Sequence, residues 1–211
     1  MALEVFTPAF DEPLFAFWLL RSTGPAEEAT WVSREAVEEH FDAYLSAPPG
    51  IVCIVAGPKG TGKSCAAVHA VRDLRGVACV RVKDERLNSK LLRAVGMPNL
   101  PRHAGLDETQ LARMCKAAAG WRRWWTGDKG WLPTFVVEVE RTTDPGLVKD
   151  AVQTLKYLAH DARACRAILV LSDASAALGL DPDPERRKVL WLGDFLRAEA
   201  DAYLDASNVL V

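Results

Sequence analysis

The chain has 211 residues, of which 49% are hydrophobic, and a formal net charge of -2 at pH 7. This length and apolar content suit one domain with its own core and a short appendage. The near-neutral charge excludes a global attraction to nucleic acid or to a membrane surface, so any nucleic-acid contact needs a local basic patch.

The first 48 residues are predicted to form an N-terminal helical lead-in to the main domain. Residues 1–30 contain prolines, acidic residues and a Ser-Thr-Gly-Pro break, which favour an irregular start. Their apolar run, Leu14 to Leu20, is too short to span a bilayer, and no membrane partner is expected. Ser33 is expected to cap a helix that runs to about Ala47, because Pro48 and the residues after it cannot continue a helix.

From residue 49 to residue 211, short apolar runs alternate with amphipathic segments. Strands are predicted at 51–57, 77–83, 134–140, 165–173 and 188–195. Helices are predicted at 63–75, in broken form across 85–120 with Asp107 capping a new start, and at 145–163 and 195–206. Continuous apolar runs are typical of parallel strands buried on both faces. The pattern therefore predicts an α/β fold, a three-layer sandwich with a mainly parallel five-stranded sheet and helices on both faces.

The segment after the first predicted strand fits the pattern G-x-x-x-x-G-K-[ST] in full. Its glycines allow consecutive backbone N–H groups to point into one concavity, and the helix that follows adds its positive N-terminal end. Lys63 is expected to bridge the β- and γ-phosphates of a nucleotide, and the Ser64 hydroxyl to bind Mg²⁺. The predicted phosphate-binding residues are Gly57, Pro58, Lys59, Gly60, Thr61, Gly62, Lys63, Ser64 and Cys65.

The third predicted strand ends in two acidic residues, Glu138 and Glu140. Strand alternation places both on the same face, so one could hold Mg²⁺ through water while the other orients the nucleophile. Val139 separates the two acids, and the role of each stays open at this point. The alternative is an exposed strand end with two solvated carboxylates.

Taken together, these segments resemble P-loop ATPases of the additional-strand type, above all AAA+ and STAND ATPases of the archaeal kind. IVCIVAGPKGTGKSCAAVHAV (51–71) is similar to their first strand, loop and helix, and FVVEVE (135–140) to their second, acidic motif. AILVLSD (167–173) resembles the strand that ends in a polar sensor, which makes Ser172 the candidate for sensing the γ-phosphate. VLWLGDFLRAEADAYLDA (189–206) is similar to a later strand and an acidic, alanine-rich helix.

The resemblance implies a sheet order of 5-1-4-3-2, the cofactors ATP and Mg²⁺, and hydrolysis used to switch or remodel a protein partner or a second copy of the chain. Lys63, Glu138, Glu140 and Ser172 are the implied catalytic residues, and Ser64, Glu138 and Glu140 the implied metal ligands. Hydrolysis is expected to be slow or stimulated by a partner. Two alternatives stay open: an interaction module that binds ATP without significant hydrolysis, and a small-molecule phosphotransferase.

The segment WRRWWTGDKGW (121–131) contains four tryptophans with three cationic residues between them. Interleaved cations and aromatic rings could stack on single-stranded nucleic acid or form a protein contact. Alternatively, Trp121, Trp124 and Trp125 anchor their helix to the core, since i, i+3 and i+4 share a helix face.

Arginine fingers could come from Arg141 or from Arg186 and Arg187, although solvated ion pairs are the alternative. The five cysteines show no C-x-x-C spacing, which favours reduced thiols in an intracellular, cytoplasmic compartment. Cys65 follows the phosphate motif directly and is either an oxidation-sensitive thiol or a small packing residue.

Overall fold

The computed structural model describes residues 8–22, 31–96, 106–140, 142–171 and 187–206. In chain order the elements are α1 (Pro8–Arg21), α2 (Glu35–Ser46), β1 (Val52–Ala56), α3 (Lys63–Val71), β2 (Val77–Val82), α4 (Leu87–Ala94), α5 (Glu108–Thr126), β3 (Thr134–Val139), α6 (Pro145–Lys156) with a π-helical continuation (Tyr157–Asp161), β4 (Arg166–Leu171), β5 (Arg187–Trp191) and α7 (Arg197–Ala206). Among these described helices, none is long and apolar enough to span a membrane.

The five strands form one sheet in the order β2-β3-β4-β1-β5. Every pairing in it is parallel, including β1 with β4 and β1 with β5. The predicted α/β class and the strand order are therefore confirmed. Because all strands run the same way, their carboxyl ends meet at one edge of the sheet.

Helices cover both faces of the sheet, and alternate strand residues divide between two cores. On one face, α1, α4, α5 and α6 pack on a core that includes Ile54, Phe135 and Leu169. On the other, α2 and α3 pack on a core that includes Val55 and Ile168. The strands are thus buried on both sides, as their continuous apolar runs predict.

The N-terminal segment is more regular than the sequence predicts. Residues 8–21 form α1, with Pro13 inside it, whereas the composition favours an irregular segment. Phe15, Ala16 and Leu19 are fully buried, so the apolar run of this segment packs as a helix against the core. α1 and α2 share their cores with the sheet, and the predicted domain boundary between residues 48 and 49 stays a prediction.

Two helix starts test the predicted caps. Ser33 does not cap α2, because its hydroxyl donates to the Glu38 carboxylate and the N-cap position is Arg34. Asp107, in contrast, caps α5 as predicted, accepting from the Gln110 amide in a capping box.

The alternative in which the tryptophans of α5 anchor the helix to the core is wrong. Trp124 and Trp125 are 84% and 82% exposed, and Trp121 is 47% exposed. The buried residues of α5 end at Ala118, so the helix continues beyond the core that its earlier turns cover. Helical spacing identifies a face, but it does not show where the packing partner ends.

Candidate nucleotide-binding site

The loop between β1 and α3 follows the carboxyl end of a central strand. It runs from Gly57 to Ser64, and α3 begins within it at Lys63. Its glycines have positive φ values, 152° at Gly57, 88° at Gly60 and 80° at Gly62. Other residues adopt these conformations only with strain. The loop therefore has the glycine-dependent curl that a backbone cradle for phosphate needs at a helix N-terminus.

We expect Gly57→Ala to destabilise the fold far more than Gly60→Ala. A Cβ at Gly57 would lie 2.0 Å from the carbonyl oxygen of Leu192. The Leu192 backbone is held there because its N–H donates to Ala56 O at 2.7 Å. The clash is with backbone, so it should cost about 3 kcal/mol or more. A Cβ at Gly60 meets nothing within 4 Å, and only its φ strain of roughly 1–2 kcal/mol remains. Urea unfolding of both variants measures the difference, and equal losses would contradict it.

Lys63 is the loop cation, and it lies folded into the loop. Its Nζ donates to Gly57 O at 2.9 Å and to Pro58 O at 2.5 Å, and the residue is only 7% exposed. Burial lowers the pKa of the Lys63 ammonium, and the nearby Glu138 carboxylate opposes that effect. A bound phosphate would favour the charged form in the same way.

The structure brings together Ser64, at the end of the phosphate loop, and Glu138, near the end of β3. Ser64 Oγ donates to Glu138 Oε1 at 2.7 Å, although 74 residues separate the two. The contact forms because α3 starts beside the carboxyl end of β3, where Glu138 lies. A hydroxyl and a carboxylate are hard oxygen donors of the kind that Mg²⁺ takes, usually together with phosphate and water. The residues present therefore fit a Mg²⁺–nucleotide site.

Glu138 also has a cationic partner that the sequence did not reveal. Arg81 lies directly opposite it on β2 and donates to Glu138 Oε2 from Nε at 3.0 Å and from a terminal nitrogen at 2.9 Å. Arg81 is exposed, so this ion pair contributes little to stability. The available signal was a lone charge inside the apolar strand VACVRV.

Glu140 has different described contacts from Glu138. Its carboxylate lies 3.8 Å from Arg81 Nε and 3.7 Å from Lys83 Nζ. Strand alternation does place both acids on one face, but the carboxylate that contacts the phosphate loop is that of Glu138. This distinguishes two residues that sequence spacing leaves equivalent.

A groove of about 270 Å³ opens beside the Ser64–Glu138 pair. Its walls come from α3, β2, β3 and β4, so it combines the hydroxyl and the carboxylate with an apolar lining. The groove is lined by Ser64, Val68, Cys79, Val80, Arg81, Val136, Glu138 and Val170. It gives room for water next to the acid.

Arg34, which no sequence pattern singles out, contacts the loop and two segments that are distant in sequence. One terminal nitrogen donates to Thr61 O at 3.2 Å, and the other to Gly193 O at 3.4 Å and Asp194 O at 3.3 Å. Its Nε lies 3.3 Å from the Glu199 carboxylate. Arg34 is 8% exposed, so the guanidinium forms part of the wall behind the loop. No local sequence pattern predicts a contact between residues that are 159 positions apart.

Some predicted residues lie outside the described part of the chain. These are Ser172, Arg141 and Arg186, while Arg187 begins β5. The described loop residues Pro58, Lys59 and Cys65 are exposed, whereas Thr61 is buried. Their roles toward a nucleotide stay predictions.

The five-stranded parallel α/β fold is shared with solved structures that are only 15% identical to this chain in sequence. The chain is similar to Cdc6p from Pyrobaculum aerophilum, with 15% identity over 91% of this chain and 53% of that one and a TM-score of 0.54. It is also similar to the ORC1 protein of Aeropyrum pernix, solved in complex with DNA, with 15% identity, 92% and 53% coverage and a TM-score of 0.51. The chain spans about half the length of these structures. No protein-family model and no curated protein matches the sequence.

Proposed function

We propose that the chain binds ATP with Mg²⁺ through residues 57–64 and hydrolyses it, slowly or when a partner contacts it, as a conformational switch. The observation that carries this proposal is the 2.7 Å hydrogen bond from Ser64 to Glu138. It joins the last residue of the phosphate motif to an acid on a separate strand. An ordinary glycine turn between a strand and a helix would need no such acid.

In this proposal the loop amides and Lys63 hold the phosphates. The amides face the nucleotide at the N-terminus of α3, and Lys63 leaves its carbonyl partners for the β- and γ-phosphate oxygens. Ser64 and Glu138 would hold Mg²⁺, which would neutralise charge on those phosphates. Glu138, or Glu140 beside it, orients the attacking water in line with the γ-phosphate, and Ser172 senses that phosphate.

The partner that stimulates hydrolysis is proposed to be a protein or a second copy of the chain. The second candidate function, a nucleotide-dependent interaction module with little hydrolysis, is favoured by one specific observation. Arg81 donates two hydrogen bonds to Glu138 and lies 3.8 Å from Glu140, so it restrains both acids. No contact among the described residues favours the phosphotransferase alternative.

Cys65 provides a test of nucleotide binding. It is exposed in the first turn of α3. Burial raises the pKa of the Cys53 thiol to about 12 and that of Cys79 to about 11. Burial also raises the pKa values of the fully buried thiols of Cys115 and Cys165. A thiol reagent should therefore modify Cys65 first. We expect Mg-ATP to slow this reaction several-fold, because the nucleotide would cover the helix start.

The same samples separate the two candidate functions when phosphate release is measured beside thiol labelling. A Cys65→Ser variant assigns the fast-reacting thiol, and Lys63→Ala should lose the protection. Protection with phosphate release supports the ATPase, and protection without release supports the interaction module. Unchanged labelling at millimolar Mg-ATP would contradict both.

A further inference from the structure

The C-terminal end of α5 presents a group of exposed aromatic side chains. Trp124 and Trp125 are among the most exposed large hydrophobic residues of the described chain, at 84% and 82%, with Trp121 at 47%. Burying these side chains would remove a large apolar area from water, so their exposure leaves the folded chain without that stabilisation. Exposed apolar patches of this kind mark interaction sites.

The charge around these rings has one dominant sign. Residues 121–131 contain three cationic side chains and one acidic side chain, in a chain whose net charge is -2. The cations are Arg122, Arg123 and Lys129, and the acid is Asp128. The segment therefore carries a local charge complementary to a polyanion.

Trp131, at the end of this segment, is held in place by its neighbours. Trp131 packs on Gly76, where a Cβ would come within 2.2 Å of its ring, and its Nε1 donates to Arg75 O at 3.0 Å. The Arg122 guanidinium lies over the Trp131 ring, 5.6 Å from its centroid. Trp124 and Trp125 meet edge to face, with centroids 6.3 Å apart, so their ring faces point in different directions.

We propose that single-stranded nucleic acid binds to the surface formed by Trp121, Arg123, Trp124, Trp125 and Lys129, here called the indole surface. Successive unpaired bases stack on the tryptophan rings, and the cations contact the phosphates between them. Charge favours this occupant over a protein partner. A protein would need a matching acidic and apolar patch, whereas a single strand supplies flat rings and regular negative charge along its whole length.

The indole surface and the phosphate loop lie toward opposite ends of the parallel strands. The segment after α5 leads to Thr134 at the amino end of β3, while Gly57 follows the carboxyl end of β1, and these strands are parallel. Nucleic-acid binding is therefore expected with or without Mg-ATP. This inference stands independently of the proposed ATPase activity.

The test is fluorescence anisotropy of labelled twenty-nucleotide dT and rU oligonucleotides with the full chain. We expect binding to quench tryptophan fluorescence and to weaken with salt, with a log–log slope of about -1 to -2. The double variant Trp124→Ala/Trp125→Ala should bind at least about tenfold more weakly, and Arg123→Ala should reduce the slope. The dT and rU arms distinguish DNA from RNA.

A matched control uses an exposed tryptophan elsewhere. Trp191 on β5 is 58% exposed, and Trp191→Ala should bind the oligonucleotides as the wild type does. Because Trp124 and Trp125 are exposed, thermal unfolding of the double variant should match the wild type. Absence of oligonucleotide binding at low salt, equal binding by the double variant, or capture of a protein partner in place of the oligonucleotide would each overturn the proposal.

Discussion

Glu138→Gln should reduce phosphate release from Mg-ATP by at least about 100-fold while the chain still binds ATP. The amide keeps the shape of the side chain but removes the negative charge that lies 2.7 Å from Ser64 Oγ. In the proposed site the loop amides and Lys63 supply most of the contacts to the phosphates, so ATP affinity should change only a few-fold. Phosphate release and equilibrium binding, measured on the same preparation, test both parts.

Glu140→Gln is the matched control for this substitution. Glu140 lies on the same strand face, but its described charged contacts are with Arg81 and Lys83. We expect it to lower phosphate release by less than about tenfold. A greater loss in Glu140→Gln than in Glu138→Gln would transfer the principal acid role to Glu140, and no loss in either would contradict hydrolysis at this site.

Lys63→Ala should weaken ATP binding by roughly 30- to 1,000-fold, equivalent to about 2–4 kcal/mol. The ammonium is the buried cation of the loop, held by Gly57 O and Pro58 O. Without it, the phosphates would lose their charge-assisted donor. Equilibrium dialysis with labelled ATP measures the loss.

Lys59→Ala controls for charge alone, because Lys59 lies in the same loop but is exposed. Its removal should weaken ATP binding only a few-fold, since salt and water screen an exposed charge. Equal losses from the two lysine variants would show that the loop acts only as a positive patch. Wild-type affinity in Lys63→Ala would remove this loop from the binding site.

The parts of this site that sequence predicts are those encoded locally or by strand direction. The loop from Gly57 to Ser64 is a contiguous motif, and parallel strands bring its end near Glu138. Sequence spacing could not distinguish Glu138 from Glu140, because both lie on one face. The difference comes from the position of α3, which places Ser64 against one of them.

Contacts between distant segments are the parts that local patterns could not supply. Arg34 reaches Gly193 across 159 residues, and a lone arginine before a helix carries no sign of this. Trp121, Trp124 and Trp125 have the i, i+3, i+4 spacing of a packed stripe, yet the buried part of α5 ends at Ala118. Local periodicity shows which residues share a helix face. Whether that face is buried depends on how far the core beneath the helix extends.

The most direct test of the central claim is a calorimetric titration of the whole chain with ATP in the presence and absence of Mg²⁺. The proposed site predicts one ATP per chain with tighter binding in Mg²⁺, because Ser64 and Glu138 then act through the metal. Absence of measurable binding at millimolar Mg-ATP would contradict the assignment of residues 57–64 as a nucleotide site.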